Sequence, residues 1–218
     1  MAISKVNFNS LNVTPTASKT LKFNSSNDGL EAGDVGGALV LISEQTASSS
    51  ATIDFTSGID STYKEYQFHF IDIHPQTDAA SLVFQADTGT NTNYNQTMTT
   101  TMFRSYHSED GSQSGLDYIT TSGEDQAQGT SFQKLIHGSA IGNDNDQSGV
   151  GILQVFNPSS TTFVKHFISR TNAVHQSDIT MDMYVAGYFN TTSALTRFRF
   201  KMDSGNMDSG DICLYGIL

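Results

Sequence analysis

Short apolar or alternating segments separated by turn-forming residues fill the chain from residue 37 onward. One segment alternates strictly, so Tyr66, Phe68 and Phe70 are predicted to lie on one face of a strand. Many short strands without βαβ alternation predict an all-β fold, and we expect one antiparallel, jelly-roll-like sandwich. The predicted strands are Ala38–Ile42, Ala51–Phe55, Tyr66–Phe70, Leu82–Ala86, Thr97–Tyr106, Phe132–Ile136, Val150–Phe156, Phe163–Ile168, Met181–Phe189, Leu195–Met202 and a last strand ending at residue 218.

Residues 1–36 differ from the β-sandwich domain predicted for residues 37–218. Their apolar residues are spaced among Asn and Ser, and a turn-forming cluster follows at residues 24–29. Such a segment buries too little surface to fold alone, so we expect an extended N-terminal arm that orders against a partner; the alternative is a flexible leader. The residues expected to anchor the arm are Val6, Phe8, Leu11, Val13, Leu21 and Phe23.

Two features point to contact surfaces on the sandwich. The continuous apolar run of residues 38–42 is typical of a strand that is covered on both faces or lies at an interface. Three long polar segments, residues 88–96, 107–130 and 138–149, are predicted loops, which commonly carry binding surfaces; plain solvent exposure is the alternative.

Aromatic and amide side chains in or beside these loops suggest a platform for a sugar. The absence of Trp weakens this hypothesis, because sugar-binding platforms often use tryptophan. For Tyr106 and Tyr118, the alternative is that both are half-buried strand residues. The candidate residues are Asn93, Tyr94, Asn95, Arg104, Tyr106 and Tyr118.

Composition and charge exclude several classes of protein. Hydrophobic residues make up 37% of the chain and charged residues 15%, unlike the low apolar content and high charge of a disordered chain. The net charge of −11 opposes binding to nucleic acid and to anionic membranes. The amino end shows no signal-peptide pattern, and no apolar stretch approaches the roughly 20 residues of a membrane-spanning helix, so membrane insertion is not expected.

The sequence contains no recognisable catalytic motif, so we predict a protein that is not an enzyme and uses no cofactor. Glu109–Asp110 and Glu124–Asp125 are the acidic pairs considered for glycoside cleavage, but adjacent side chains do not themselves span the separation that reaction needs. The six histidines lack zinc-site spacing, and we predict no metal site. Calcium binding at Asp144–Asp146 or at Asp203–Asp211 stays open, although Asx and Gly in tight turns explain both segments. Cys213 is expected to be a buried thiol.

Three stretches resemble a family of small all-β virion proteins of tailed bacteriophages, especially phages of marine bacteria. They are Ile59–Pro75, Phe156–Phe167 and Arg199–Leu218, within a similar region of roughly residues 38–218. The last stretch consists of an alternating strand, a turn and a second apolar strand. The resemblance implies a phage particle protein that is made in the bacterial cytoplasm and located in the virion.

The resemblance leaves the role on the particle open. The first expectation is a short fibre or adhesion protein, attached through residues 1–36 and presenting polar loops to a glycan on the host surface. The alternative is a decoration (cement) protein that bridges capsid or tail subunits. A glycan-degrading enzyme with an unrecognised carboxylate site is the third hypothesis. The expected partners are capsid, tail or fibre subunits, and a homotrimer is expected by analogy with phage fibres.

Overall fold

The computed structural model describes residues 19–26, 28–34, 38–121, 123–137 and 141–218. These residues form strands and turns, with no helix in the described part of the chain. The strands are β1 (Lys19–Phe23), β2 (Leu30–Asp34), β3 (Leu39–Thr46), β4 (Ile53–Phe55), β5 (Glu65–Pro75), β6 (Leu82–Thr88), β7 (Met98–Ser108), β8 (Ser114–Ile119), β9 (Gln133–Lys134), β10 (Gly149–Phe156), β11 (Lys165–His175), β12 (Ile179–Phe189), β13 (Leu195–Met202) and β14 (Met207–Ile217).

The chain divides into two compact units, residues 1–38 and residues 39–218. In the first unit, β1 and β2 pair as an antiparallel hairpin. The predicted turn cluster closes it, because Asn24 accepts a hydrogen bond from the Asp28 amide at 3.2 Å and donates one to the Asp28 carboxylate at 2.8 Å. The anchor residues Val6, Phe8, Leu11 and Val13 lie outside the described residues.

The second unit is an antiparallel sandwich of two unequal sheets, which confirms the predicted fold class. The larger sheet has eight strands in the order β3-β14-β5-β10-β11-β12-β7-β8. The smaller sheet has four strands in the order β4-β13-β6-β9. The predicted last strand is β14, and it pairs on both sides, with β3 and β5.

Aromatic side chains from both sheets interlock in the core. Phe68 on β5 lies 5.2 Å from Phe55 and 4.9 Å from Phe200 between ring centroids, and both partners belong to the smaller sheet. Farther along, Phe84 on β6 contacts the ring of Phe167 on β11 at 5.1 Å. The predicted inward face of β5 is confirmed, because Tyr66, Phe68 and Phe70 are buried. Burial of such rings supplies the main driving force for joining the sheets.

Several predicted strand boundaries differ from those of the structure, and one strand was missed. The polar segment 107–130 contains a strand, β8, which pairs with β7 at the edge of the larger sheet. Its neighbours Asp, Ser and Gly hid the alternation of Leu116 and Tyr118. The strand predicted at 132–136 shrinks to the two residues of β9, and the strand predicted at 163–168 starts later and runs to His175.

No helix in the described residues is long and apolar enough to cross a membrane.

Candidate binding surface

The larger sheet has a face turned away from the smaller sheet. Successive side chains of a strand point to opposite faces, and the core side chains of β7, β10, β11 and β12 are buried, so the alternate residues point outward. We use the term "outer face" for the outward residues of β7, β8, β10, β11 and β12. It carries large exposed hydrophobic side chains: Phe103, Leu116, Tyr118, Val150, Ile152 and Ile168.

Strand register aligns a row of large side chains across this face. Arg170 on β11 pairs with Tyr184 on β12, and Tyr184 pairs with Phe103 on β7. Phe103 in turn pairs with Tyr118 on the edge strand β8. On the other side, Arg170 pairs with Ile152 on β10. Directly opposed residues in a sheet have neighbouring side chains, so the row is continuous over five strands.

The rings in this row stack on one another rather than lie flat. The centroids of Phe103 and Tyr184 are 4.8 Å apart, with an angle of 6° between the ring planes. The Arg170 guanidinium carbon lies 5.2 Å from the centroid of the Tyr184 ring. Because β12 lies between β7 and β11, Phe103 and Arg170 occupy opposite faces of Tyr184. The ring of Tyr184 therefore offers solvent its edge, not a face.

An ion pair beside the row leaves the outer face without net charge. Arg170 donates from Nε to Asp182 Oδ1 at 3.1 Å and from Nη2 to Asp182 Oδ2 at 3.0 Å. This bidentate contact with Asp182 raises the pKa of the Arg170 guanidinium. Among the described residues of this face, these two are the charged ones. A neutral face is notable in a chain of net charge −11.

A groove of about 430 Å³ lies beside the stacked rings. Its lining includes Phe103 and Tyr184 together with Ile152, Ile168 and Ala186. Polar groups reach it from Thr101, Gln154, Ser169 and Arg170, and the charge of Arg170 is paired with Asp182. The groove is therefore shaped for apolar side chains rather than for a charged ligand.

The structure does not bring the six candidate residues of the predicted sugar platform together. Arg104 and Tyr106 lie on the inner side of β7, where the Arg104 guanidinium carbon is 4.9 Å from the Tyr106 ring centroid and Nη2 donates to Asp117 at 3.3 Å. Tyr118 lies on the outer face, 58% exposed. Its hydroxyl donates to Asp125 at 3.1 Å.

The remaining candidates lie in the loop after β6. Asn93 and Asn95 are exposed, but Tyr94 between them is buried. The Tyr94 amide donates to Asp87 Oδ2 at 2.8 Å, and its ring lies under Arg199, 4.1 Å from the guanidinium carbon. Burial raises the pKa of Tyr94. These two contacts hold Tyr94 inward, away from the position that a sugar platform would need.

The acidic residues considered for catalysis or calcium binding have partners within the protein. Glu124 is buried and lies 3.0 Å from His137 Nδ1, whereas Asp125 binds Tyr118, so the two adjacent carboxylates contact different groups. Asp110 accepts from Ser108 and Ser112, and these bonds lower its pKa to about 2. Among the described residues, no group of three or more His, Cys, Asp or Glu is placed to hold a metal ion.

Two further predicted features are the thiol of Cys213 and the apolar run of residues 38–42. Cys213 is buried on β14, and burial raises the pKa of its thiol, in agreement with the expected small apolar role. Leu39 and Leu41, from the apolar run of residues 38–42, are 45% and 52% exposed on β3. That exposure fits the interface alternative given for this strand.

The row of Arg170, Tyr184 and Phe103 and the groove beside it were not predicted from the sequence. A signal was present, because β10 carries apolar residues at consecutive positions Ile152 and Leu153, and so on both of its faces.

Comparison with models of known families finds no match for the chain, and neither a curated protein nor a solved structure matches it.

Proposed function

We propose that this chain is a non-enzymatic structural protein of a tailed-phage particle and that it joins protein subunits through its outer face. The phage assignment rests on the resemblance of the three stretches in residues 59–75, 156–167 and 199–218. The joining role rests on one observation: a broad, neutral, largely apolar sheet face lies open to solvent. Contiguous patches of this kind typically mark protein–protein contacts.

The ring geometry favours a protein partner over a sugar. A sugar stacks on the flat face of an aromatic ring, and both faces of Tyr184 are occupied by Phe103 and Arg170. The aliphatic side chains of Val150, Ile152 and Ile168 around the row have no polar atoms to bond sugar hydroxyls. These are the side chains that fill the centre of a subunit interface. The decoration alternative therefore takes precedence over the adhesion hypothesis.

The hairpin of β1 and β2 supports attachment to a second protein. Phe23 pairs with Leu30 and Leu21 pairs with Ala32, which places four apolar residues on one face of the hairpin. Phe23 is 72% exposed and Leu21 is 44% exposed. A two-stranded hairpin is marginally stable in water by itself, so cover for this face would stabilise it. We propose that β1 and β2 contribute to docking on the particle.

Adhesion to a host surface glycan is the second candidate, and one feature favours it. Tyr118 is exposed, and its hydroxyl is fixed by Thr101 at 3.3 Å and Asp125 at 3.1 Å. Because Tyr118 is 58% exposed, part of its ring is accessible. This candidate predicts saturable binding to host glycans that is lost in Tyr118→Ala.

Rebinding to particles depleted of this protein tests the proposal. Wild type and Ile168→Glu are compared with Phe163→Glu, which places the same charge on an exposed hydrophobic residue in the loop before β11. We expect retention of wild type and Phe163→Glu and loss of Ile168→Glu, because a carboxylate buried in an apolar contact is costly. Failure of wild type to rebind, or equal retention of all three proteins, contradicts the proposal.

A further inference from the structure

The outer face is large enough for a stable contact between folded proteins. Five strands about 4.8 Å apart span about 24 Å, and 8 residues, the length of β10, span about 27 Å at about 3.4 Å each. The resulting area of about 650 Å² per copy approaches the roughly 800 Å² that each partner contributes to a standard interface. Side chains that rise from the sheet add to this area.

The charge distribution narrows the choice of partner. A partner with a basic surface would be matched by unpaired carboxylates on this face, but Asp182 is already held by Arg170. Two copies of a chain with net charge −11 repel each other wherever unpaired carboxylates meet. The outer face avoids that repulsion, because Arg170 and Asp182 neutralise each other. The partner surface that suits this face best is therefore one that also has no net charge.

The other three strands of the larger sheet, β5, β14 and β3, carry several carboxylates, unlike the outer face, where Asp182 is paired with Arg170. On β3 and β14, Glu44 pairs with Cys213 and Asp211 pairs with Thr46, which adds two carboxylates to that part of the sheet. Glu65 on β5 adds a third, opposite Ile217. A second acidic copy would be repelled there. The neutral, apolar area thus ends where the sheet passes from β10 to β5.

From these observations, and resting on the proposed function, we infer that the partner on the outer face is a second copy of this chain. The two outer faces pack sheet against sheet, with the edges of Phe103 and Tyr184 from one copy entering the groove beside Ile168 of the other. Sheets pack face to face about 10 Å apart, a spacing that side chains of this size fill.

The mass of the full-length protein in solution tests this inference. Sedimentation equilibrium is run from about 0.1 to about 100 μM on wild type, Ile168→Glu and Phe163→Glu, since standard-size interfaces range from micromolar affinity upward. We expect wild type and Phe163→Glu to form oligomers. Ile168→Glu should associate at least about 100-fold more weakly. Folding of each variant is checked by circular dichroism.

A cysteine at position 168 provides a second, independent readout. In a Cys213→Ser background, a mixture of Phe103→Cys and Ile168→Cys proteins should form a mixed intermolecular disulfide on mild oxidation, whereas a mixture of Phe103→Cys and Phe163→Cys proteins should not. A monomeric wild type over the whole range, or an oligomer that Ile168→Glu leaves intact, overturns the inference. A monomer that still rebinds particles leaves the proposed function standing, and an oligomer that does not rebind contradicts the proposed function alone.

Discussion

At the scale of single residues, Arg199 connects three parts of the sandwich. On β13, it donates from Nε to Asp54 Oδ1 at 2.7 Å and from Nη2 to Asp54 Oδ2 at 2.6 Å, which ties β13 to β4. The contact with Asp54 raises the pKa of Arg199. The Tyr94 ring stacks on the same guanidinium at 4.1 Å, which secures the loop after β6. Only a planar, forked cation makes both contacts at once.

Replacement of Arg199 should show how much its planar, bidentate guanidinium contributes to the stability of the fold. We expect Arg199→Lys to lower the free energy of unfolding by about 1–3 kcal/mol, because the bidentate bond and the stacking are both lost. Arg170→Lys is the matched control: its Asp182 pair is similar, but the Arg170 side chain is 67% exposed, so a clearly smaller change in the free energy of unfolding is expected. Urea unfolding of dilute protein measures both, and equal losses would contradict this account.

Two histidines give the stability a defined dependence on pH. Burial lowers the pKa of His69 and of His175 below the ordinary value of 6.5. The neutral ring of His175 also accepts a hydrogen bond at Nδ1 from the Ser177 amide at 3.0 Å. The unfolded chain therefore binds protons at these residues more readily than the folded one.

We accordingly expect stability to fall as the pH decreases through about 6.5 towards the lower folded pKa values. The double variant His69→Gln/His175→Gln should lose less stability over the same range. His166→Gln, which alters an exposed histidine, should retain the wild-type slope. Thermal unfolding at pH 7.5, 6.5 and 5.5 provides the measurement. A steeper slope in the double variant would show that the histidine pKa values are raised instead.

At the scale of elements, β12 depends on close approach of its neighbours. Gly187 pairs with Phe167 on β11 and with Thr100 on β7. A Cβ atom at this position would lie 2.6 Å from the Thr99 carbonyl oxygen and 3.0 Å from Phe167 Cζ. Backbone and a core ring leave little freedom to move away. Glycine thus allows β12 to lie between β7 and β11 at the centre of the outer face.

Gly187→Ala should destabilise the sandwich by about 1–3 kcal/mol through overpacking. Ala186→Ser, on the adjacent and outward-facing position, should change stability by less than about 0.5 kcal/mol. Chemical denaturation of both variants at low protein concentration separates the packing effect from association. If the two substitutions have equal effects, the close approach at Gly187 is not a constraint on the fold.

At the scale of the whole molecule, an acidic chain must associate against its own repulsion. The net charge of −11 opposes contact between copies, while the neutral outer face permits it. Salt shortens the distance over which charges act from about 10 Å at 0.1 M to about 3 Å at 1 M. The apolar contact itself does not depend on ion pairs between copies. The strength of self-association should therefore depend on the salt concentration.

Raising NaCl from 0.1 to 1 M should tighten self-association several-fold, since repulsion between copies is screened. The measurement is sedimentation velocity over a dilution series at each salt concentration, with Ile168→Glu as the variant expected to stay dissociated. Weaker association at high salt would show instead that ion pairs hold the copies together.

Local pattern predicted the sandwich but not its contact surface. The alternation of residues 66–70 and the last strand follow from side-chain period, and both are present in the structure. The row of Arg170, Tyr184 and Phe103 depends on which strands pair and in which register. That order is set by packing of the complete sheets. The burial of Tyr94 could not be predicted for a related reason, since the ring packs under Arg199, which is remote in sequence.

We propose that another protein subunit covers the outer face in the assembled particle. Hydroxyl-radical footprinting tests this by comparing particle-bound protein with free protein that is dilute enough to be monomeric. The modification of Phe103, Tyr184, Ile168 and Phe163 is measured by mass spectrometry. The account predicts strong protection of the first three in the particle and unchanged modification of Phe163 in its exposed loop. Equal modification of Phe103 and Ile168 in the free and bound protein would contradict it.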